Sequence, residues 1–473
     1  MDSEAMIHGG AFDHSTLDRT LAMLMRQPGR ELASLAVVLV KADQVVYEGY
    51  FGSRWFDPAN QERSLPATPA TKFRVASISK LVASLAFMQL VERGLVGLND
   101  DVSDLLGFRL RNPHFPTTPI TPAMLLSHTS SLRDGSLYSA APPHTLRDFF
   151  HPGGALYENG AHFAAPHANL KIGSHGDAEN TETFSLMIMP RRSMDTDMTH
   201  APGRFFSYCN LNFGVLGAII ERVSGERFDL YVHDHILHPL EIDGGFNVNL
   251  LSDEGFGQIA VLYRKQRDGV WTPDGPWVAQ VDDYQGRRPL LRLDDYSIGT
   301  NGTIFSPQGG LRISARDLVK VMRLFMHGGR CGDMQIVQPA TMAQMLTVRW
   351  RYDPAAPNGD PYNGLMRAWG LGPQRTTAVR DALGGDRHII EGSPQLWGHA
   401  GDAYGLLAGL WCDPSIQSGF IYIIGGVGAD PEANRGRYSS FYRWEEEIQT
   451  AIIDSVYTPL DLDASLTRGA SLR

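Results

Sequence analysis

The sequence predicts an α+β fold, an antiparallel sheet flanked by helices with a mostly helical lobe inserted into it. Three observations predict it. Two short apolar strands near the start are joined by a polar turn. The middle of the chain alternates helical periodicity with long loops. Two further strands near the end are followed by one amphipathic helix. Strands at both ends with helices between them fit one sheet assembled from both ends, its apolar faces buried under helices. The expected division is a discontinuous sheet unit, residues 1–95 and 300–460, a helical lobe, residues 96–299, and a tail, residues 461–473.

The elements follow in order. Residues 15–26 read as a helix with Ser15 as cap, Asp18 at the capping-box position, and Leu17, Leu21, Leu24 and Met25 on one face. Residues 35–40 and 45–51 read as strands joined at Lys41-Ala-Asp-Gln44. Residues 71–75 read as a third strand, running into a long apolar helix over 81–90 that Gly94 ends. Met124 to His128 form a short apolar turn, and 211–223 and 228–237 are helices, the first stopped by Gly225. The stretch 135–202 is rich in Gly, Pro, His and Asn and has weak periodicity; a loop of that length is expected to be a lid or a subunit contact. Pieces of loop and strand are expected at 260–264, 271–276 and 306–310. Ser314 and Asp317 cap a helix over 314–326. Residues 405–411 and 420–425 alternate as strands, and Phe441, Trp444, Ile448, Ile452 and Ser455 line one face of a last helix.

Composition narrows the function. The net charge is −10, and no basic run is interleaved with aromatics, so nucleic acid is not an expected partner. The three cysteines, Cys209, Cys331 and Cys412, are far apart, which argues against a disulfide framework and a structural zinc site. His151, His162, His167 and His175 lack paired metal-ligand spacing, so no metal and no cofactor are expected. No apolar run reaches the ~18–20 residues of a membrane span. The first residues carry no secretory signal, so the chain is expected to be cytoplasmic as written, or periplasmic or secreted if a signal was removed.

The chemistry centres on one lysine. Of six lysines, only Lys80 has a serine three residues before it, in Phe73-Arg-Val-Ala-Ser-Ile-Ser-Lys80. On a helix, residues three apart share a face, about 5–6 Å between Cβ atoms. Lys80 can therefore reach the Ser77 hydroxyl, and burial would lower its pKa until it serves as a base near neutrality. The competing reading is a surface Ser and Lys that fall in register by chance. A serine nucleophile also needs a proton relay to the leaving group and donors for the oxyanion. Tyr-x-Asn occurs twice, at Tyr157-Glu-Asn159 in the irregular stretch and at Tyr208-Cys-Asn210 at the start of a helix. A helix start is the more rigid mount, so the second is preferred. His-x-Gly occurs four times, but only His399-Ala-Gly401 is followed directly by a strand, whose edge can offer N–H groups; Gly401 would let a substrate approach that edge.

These blocks, Ser77-Ile-Ser-Lys80, Leu125-Leu-Ser-His-Thr-Ser-Ser-Leu132, Pro202-Gly with Tyr208-Cys-Asn210, Gly309-Gly310-Leu and Gly398-His-Ala-Gly401, come in an order that resembles the serine β-lactamase-related hydrolases. That family includes class C β-lactamases, D-Ala-D-Ala carboxypeptidases, D-aminopeptidases and β-lactamase-like esterases. The resemblance implies a β-lactamase/transpeptidase-like fold and a cofactor-free hydrolase acting on a small ester, amide or short peptide, with a homo-oligomer allowed. It implies Ser77 as the acylated nucleophile, Lys80 as its base, Tyr208 as proton shuttle, and Asn210 holding the acyl side. His399 would line the opposite wall, the N–H groups of Ser77 and Asp402 would form the oxyanion hole, and His128 would be structural. Cys209, between Tyr208 and Asn210, reads as a small packed residue. The alternatives are a D-Ala-D-Ala carboxypeptidase or β-lactamase, an acyltransferase, and a non-catalytic penicillin-binding sensor, which would not need both Lys80 and Tyr208. The third motif departs from Lys-Thr-Gly, with His399 in place of the lysine. His399 is expected to be neutral above its ordinary pKa of about 6.5, with Asp402 adding a negative charge beside it. Neutral substrates should therefore outrun penicillins, and carboxylate-bearing substrates should gain as pH falls toward 6.

Overall fold

The structure is a computed structural model that describes residues 14–57, 59–165, 200–382, 384–388 and 395–456. The chain begins with α1 (His14–Leu24), which buries Leu17, Leu21 and Leu24. Ser15 lies inside this helix and is not its cap; Asp18 instead accepts a hydrogen bond of 2.6 Å from the Tyr47 hydroxyl. The expected hairpin follows as β1 (Ser34–Lys41) and β2 (Gln44–Trp55). Its two central turn residues, Ala42 and Asp43, have φ of 47° and 64°, the turn whose twist matches that of antiparallel strands. Next come β3 (Leu65–Pro66), β4 (Lys72–Arg74) and α2 (Ser79–Glu92).

The helical middle contains α3 (Val102–Leu106), α4 (Pro122–Leu126), α5 (Leu211–Ser224) and α6 (Phe228–Val232), the last continuing as a π turn over His233–Leu237. A pair of strands, β5 (Leu262–Arg267) and β6 (Trp277–Val281), closes it. Then β7 (Arg312–Ser314) leads into α7 (Ala315–Met326), where the Ser314 hydroxyl accepts from Asp317 N–H at 3.0 Å and donates to its carboxylate at 2.8 Å. The chain ends its described course with β8 (Trp350–Arg351), β9 (Ala368–Trp369), β10 (Gln374–Arg375), β11 (Trp397–Ala403), β12 (Leu406–Asp413), β13 (Ser418–Ile424) and α8 (Arg443–Val456).

One sheet gathers both ends of the chain in the order β8-β9-β10-β11-β12-β13-β1-β2-β3. The join is antiparallel, with Leu35 opposite Ile424 and Leu39 opposite Phe420. Leu35, Val37 and Leu39 face α1 and α8 in one apolar cluster with Trp411, Tyr422, Trp444 and Ile448. Ala36, Val38 and Val40 face the other way, against Leu318, Val321 and Met322 of α7. Burial on both faces is why β1 reads as an unbroken apolar run. For the same reason α2, packed against α5 and α6 and buried along nearly its whole length, is apolar all round.

The irregular stretch is anchored along its described part. Residues 135–165 are packed: Leu146, Phe149, Phe150 and Phe163 are buried, a short helix spans Arg147–Phe150, and Leu146 N–H donates to the Thr300 carbonyl at 2.7 Å. The remainder of the proposed lid, 166–199 with His167 and His175, lies outside the described residues, as do the tail 461–473 and the Ser455 side chain. Among the described residues no helix is long and apolar enough to cross a membrane.

Candidate active site

Ser77 stands where β4 hands the chain to α2. The ladder of β4 with β7 fixes the approach, Lys72 opposite Ser314 and Arg74 opposite Arg312. Ala76 then takes a left-handed φ of 45°, a conformation that costs a non-glycine residue on the order of 1–3 kcal/mol. The chain turns sharply there, and a 3-10 turn, Ala76–Ile78, carries Ser77 before α2 begins at Ser79. The serine thus sits on the turn ahead of the helix, whereas the sequence suggests the helix itself.

Lys80, in the first turn of α2, has no exposed surface. Its Nζ lies 3.0 Å from Ser77 Oγ, 2.8 Å from Asn210 Oδ1 and 2.8 Å from the Gln308 carbonyl oxygen. Two of these partners are carbonyl oxygens that accept only. A neutral amine has two N–H donors and one lone pair, so giving both N–H groups to the carbonyls leaves the lone pair toward the serine hydroxyl. Burial pulls the Lys80 pKa down to about 7, and the negative charge of Asp134 works against that fall.

Tyr208 precedes α5 and is buried, its ring centroid 4.8 Å from Lys80 Nζ. Its hydroxyl neighbours Ser77, yet makes no hydrogen bond of ordinary geometry among the described residues. Burial holds this phenol well above its usual pKa. The His128 ring stacks on it at 4.4 Å and is kept well below the usual imidazole range, first by burial and then by the Lys80 charge. His128 Nδ1 accepts from Cys209 N–H at 3.1 Å. The Cys209 thiol is buried and pushed well above its usual range. The other Tyr-x-Asn is not brought here: Tyr157 N–H closes a turn on the Gly154 carbonyl, and none of the hydrogen bonds of Ser77, Lys80 or Asn210 reaches it.

The opposite wall is β11. Strand β10 covers it only at Trp397 and Gly398, so from His399 onward that edge carries no strand among the described residues. The edge packs on the serine turn, and a Cβ on Gly401 would stand 2.8 Å from the Val75 carbonyl oxygen. A side chain at position 401 would therefore crowd the contact between strand and turn. His399 gives its Nδ1 proton to the Ala400 carbonyl at 2.6 Å, and its Nε2 has no partner among the described residues. Burial, then the Lys80 charge, lowers its pKa to about 3. That direction runs against the expectation that it gains a proton near pH 6.

The charge expected of Asp402 is also corrected. Successive strand residues point to opposite faces, so the Asp402 side chain leaves the face that His399 occupies. It lies among Arg264, Glu432, Arg435 and Tyr442, where burial raises its pKa to about 7. Only its backbone can serve the serine side of the strand.

Four contributors carry no signature in the sequence. They are the Gln308 carbonyl, the Asp134 carboxylate on Asn210, the Trp369 edge at 5.3 Å from the His399 ring, and Tyr362, whose hydroxyl donates to the Tyr208 carbonyl at 3.2 Å. Two of them have a positional hint: Asp134 stands two residues after the 125–132 block, and Gln308 directly precedes Gly309-Gly310-Leu. Among the described residues no group of three or more His, Cys, Asp or Glu side chains converges to hold a metal ion.

Comparison with known proteins adds to this geometry. A family model described as Beta-lactamase matches residues 17–440. Protein flp of Staphylococcus aureus (strain MW2) is 26% identical over 207 residues, covering 44% of this chain and 33% of that protein. The chain thus spans about a third of the length of that relative. Esterase EstB of Burkholderia gladioli is 27% identical over 309 residues, 65% of this chain and 68% of the esterase. The octameric penicillin-binding protein homologue from Pyrococcus abyssi superposes with a TM-score of 0.59 at 20% identity, covering 93% of this chain and 77% of that one. That likeness is one of fold.

Proposed function

The chain belongs to the Beta-lactamase family, and from that premise we propose that it is a serine hydrolase cleaving a neutral ester or amide through an acyl-serine on Ser77. The observation that carries this reading is the 3.0 Å approach of Lys80 Nζ to Ser77 Oγ, with both other neighbours of that nitrogen being carbonyl oxygens. The likeness to esterase EstB supports the ester side of it.

In this reading Lys80, neutral in part at pH 7, takes the proton as Ser77 Oγ attacks the substrate carbonyl carbon. The N–H groups of Ser77 and Asp402 receive the oxyanion. The tetrahedral adduct then expels its alcohol or amine. Tyr208, a neutral phenol, gives that leaving group its proton and recovers one from the Lys80 ammonium. Asn210 holds the acyl side of the substrate and Lys80 together. Water adds to the acyl-enzyme by the same route, with Lys80 as base, and frees Ser77. The neutral His399 makes an uncharged wall, so a substrate carboxylate finds no cation there.

Intact-mass analysis after reaction with a fluorophosphonate or a slow ester tests the reading. One adduct is expected, on Ser77, and none on Ser77→Ala. The acylation rate should rise with pH through a limb near 7, because neutral Lys80 is the reactive form. An adduct on another serine, or turnover retained by Ser77→Ala, overturns it.

A further inference from the structure

Asn210 is an amide whose two ends must be told apart. Its Oδ1 faces Lys80 Nζ at 2.8 Å, and its Nδ2 donates to Asp134 Oδ2 at 2.9 Å. A carboxylate accepts only, so Asp134 fixes which end of the amide meets the lysine. The same carboxylate accepts from Asn210 N–H at 3.0 Å, from Leu211 N–H at 2.9 Å and from the Cys209 thiol at 3.4 Å. These are the first N–H groups of α5, which have no partner inside the helix. One side chain therefore holds the whole segment that follows Tyr208.

We infer that Asp134 is a positioning residue for acyl transfer: its carboxylate locks the Asn210 amide with the oxygen toward Lys80 and supplies the negative charge that Lys80 faces. The inference rests on the acyl-serine reading above. Without the carboxylate the amide is free to turn its NH2 group toward Lys80, where an N–H would meet an N–H and the lysine would swing off the serine. The titratable groups facing Lys80 from the surrounding elements are Asp134, Tyr208, Cys209, His128 and His399. Burial keeps the phenol and the thiol protonated and the two imidazoles neutral through the neutral range. Asp134 is thus the charge among them, and it raises the Lys80 pKa.

Two effects of Asp134→Asn follow, and they oppose each other in a way that misfolding cannot imitate. The single-turnover acylation rate at its pH plateau, counted per site titrated by fluorophosphonate, should fall on the order of ten- to a hundredfold. The pH limb of that rate should move to lower pH by about half a unit to one unit, because Lys80 loses its counter-charge. In an Asn210→Ala background, Asp134→Asn should cost no more than about threefold, since the amide it positions is gone. Should Asp134→Asn yield no folded protein, Asp134→Glu keeps the charge but displaces it, and the rate should fall with the limb in place. An unmoved limb in Asp134→Asn, an undiminished cost in the Asn210→Ala background, or an unchanged rate in Asp134→Glu overturns the inference. If wild-type Ser77 is still acylated in that event, the hydrolase reading survives; if Ser77 takes no acyl group at all, that reading fails first.

Discussion

His399 and Asp402 stand three residues apart on β11 and point to opposite faces of the sheet. The imidazole looks toward Tyr208, its ring centroid 6.0 Å away, and the carboxyl looks toward Arg264 and Tyr442. The face of β11 that carries His399 is therefore uncharged, and the acid lies behind it.

Substrate charge follows from that wall. The ratio of kcat/KM for a neutral p-nitrophenyl ester to that for nitrocefin should exceed about 100 and stay flat from pH 5.5 to 8, because His399, lowered to about 3, does not titrate there. Any Lys80 limb cancels in the ratio. His399→Lys should raise nitrocefin turnover on the order of tenfold by supplying a cation for its carboxylate. Asp402→Asn should leave the ratio alone. A ratio that collapses as pH falls toward 6 would show that His399 does gain a proton.

The two tyrosines separate by kinetics. Tyr208→Phe removes the phenol beside Ser77 and should cut turnover on the order of 10²–10⁴-fold, the usual loss for a placed acid/base group. Tyr157→Phe should change it by less than about twofold. Steady-state assays on one ester decide it, and equal losses would unseat Tyr208.

Two buried carboxyls weaken the fold as pH rises, while Lys80, His128 and His399, whose pKa values are lowered, pull the other way. Behind β11, Glu445 accepts from the Tyr422 hydroxyl at 2.8 Å and from Tyr442 N–H at 3.1 Å, and burial raises it to about 8, with Asp402 nearby at about 7. Both carboxyls hold protons more tightly folded than unfolded. Their contribution is complete below the ordinary carboxylate values and is lost as pH climbs through about 7 and 8. At fixed ionic strength the melting temperature of Glu445→Gln minus that of the wild type should rise by a few degrees, on the order of 3 °C, between pH 5.5 and 8.5, because only the wild type loses the carboxyl's proton there. A difference between variant and wild type that stays constant over that range contradicts the assignment.

Much of this arrangement is legible in the chain's local patterns. The apolar run of β1, the Ser314–Asp317 cap and the glycine stops at Gly94 and Gly225 are local signals, and each element stands close to where they put it. Ser77 and Lys80 are legible because a spacing of three brings them together, here across the 3-10 turn and the start of α2. Asp134, Gln308 and Trp369 are not, since each reaches the site across a long stretch of chain through contacts that leave no spacing. The side on which Asp402 falls is legible as well: three steps along a strand from His399 is an odd number, which puts its side chain on the other face. A charge beside His399 is expected only if that pleat is neglected. The burial of His399 is not readable from its neighbours, because it depends on Trp369 and Tyr208, which arrive from other elements.

Lys80 takes its acceptor from Gln308, 228 residues further along the chain. During synthesis the serine and its lysine leave the ribosome long before that carbonyl, or the strand that packs through Gly401 on the Val75 carbonyl, has been made. Until then nothing buries the ammonium, and an ordinary lysine is no base at neutral pH. On the acyl-serine reading, Ser77 would stay inert toward acyl groups until Gln308 and that strand have docked around Lys80.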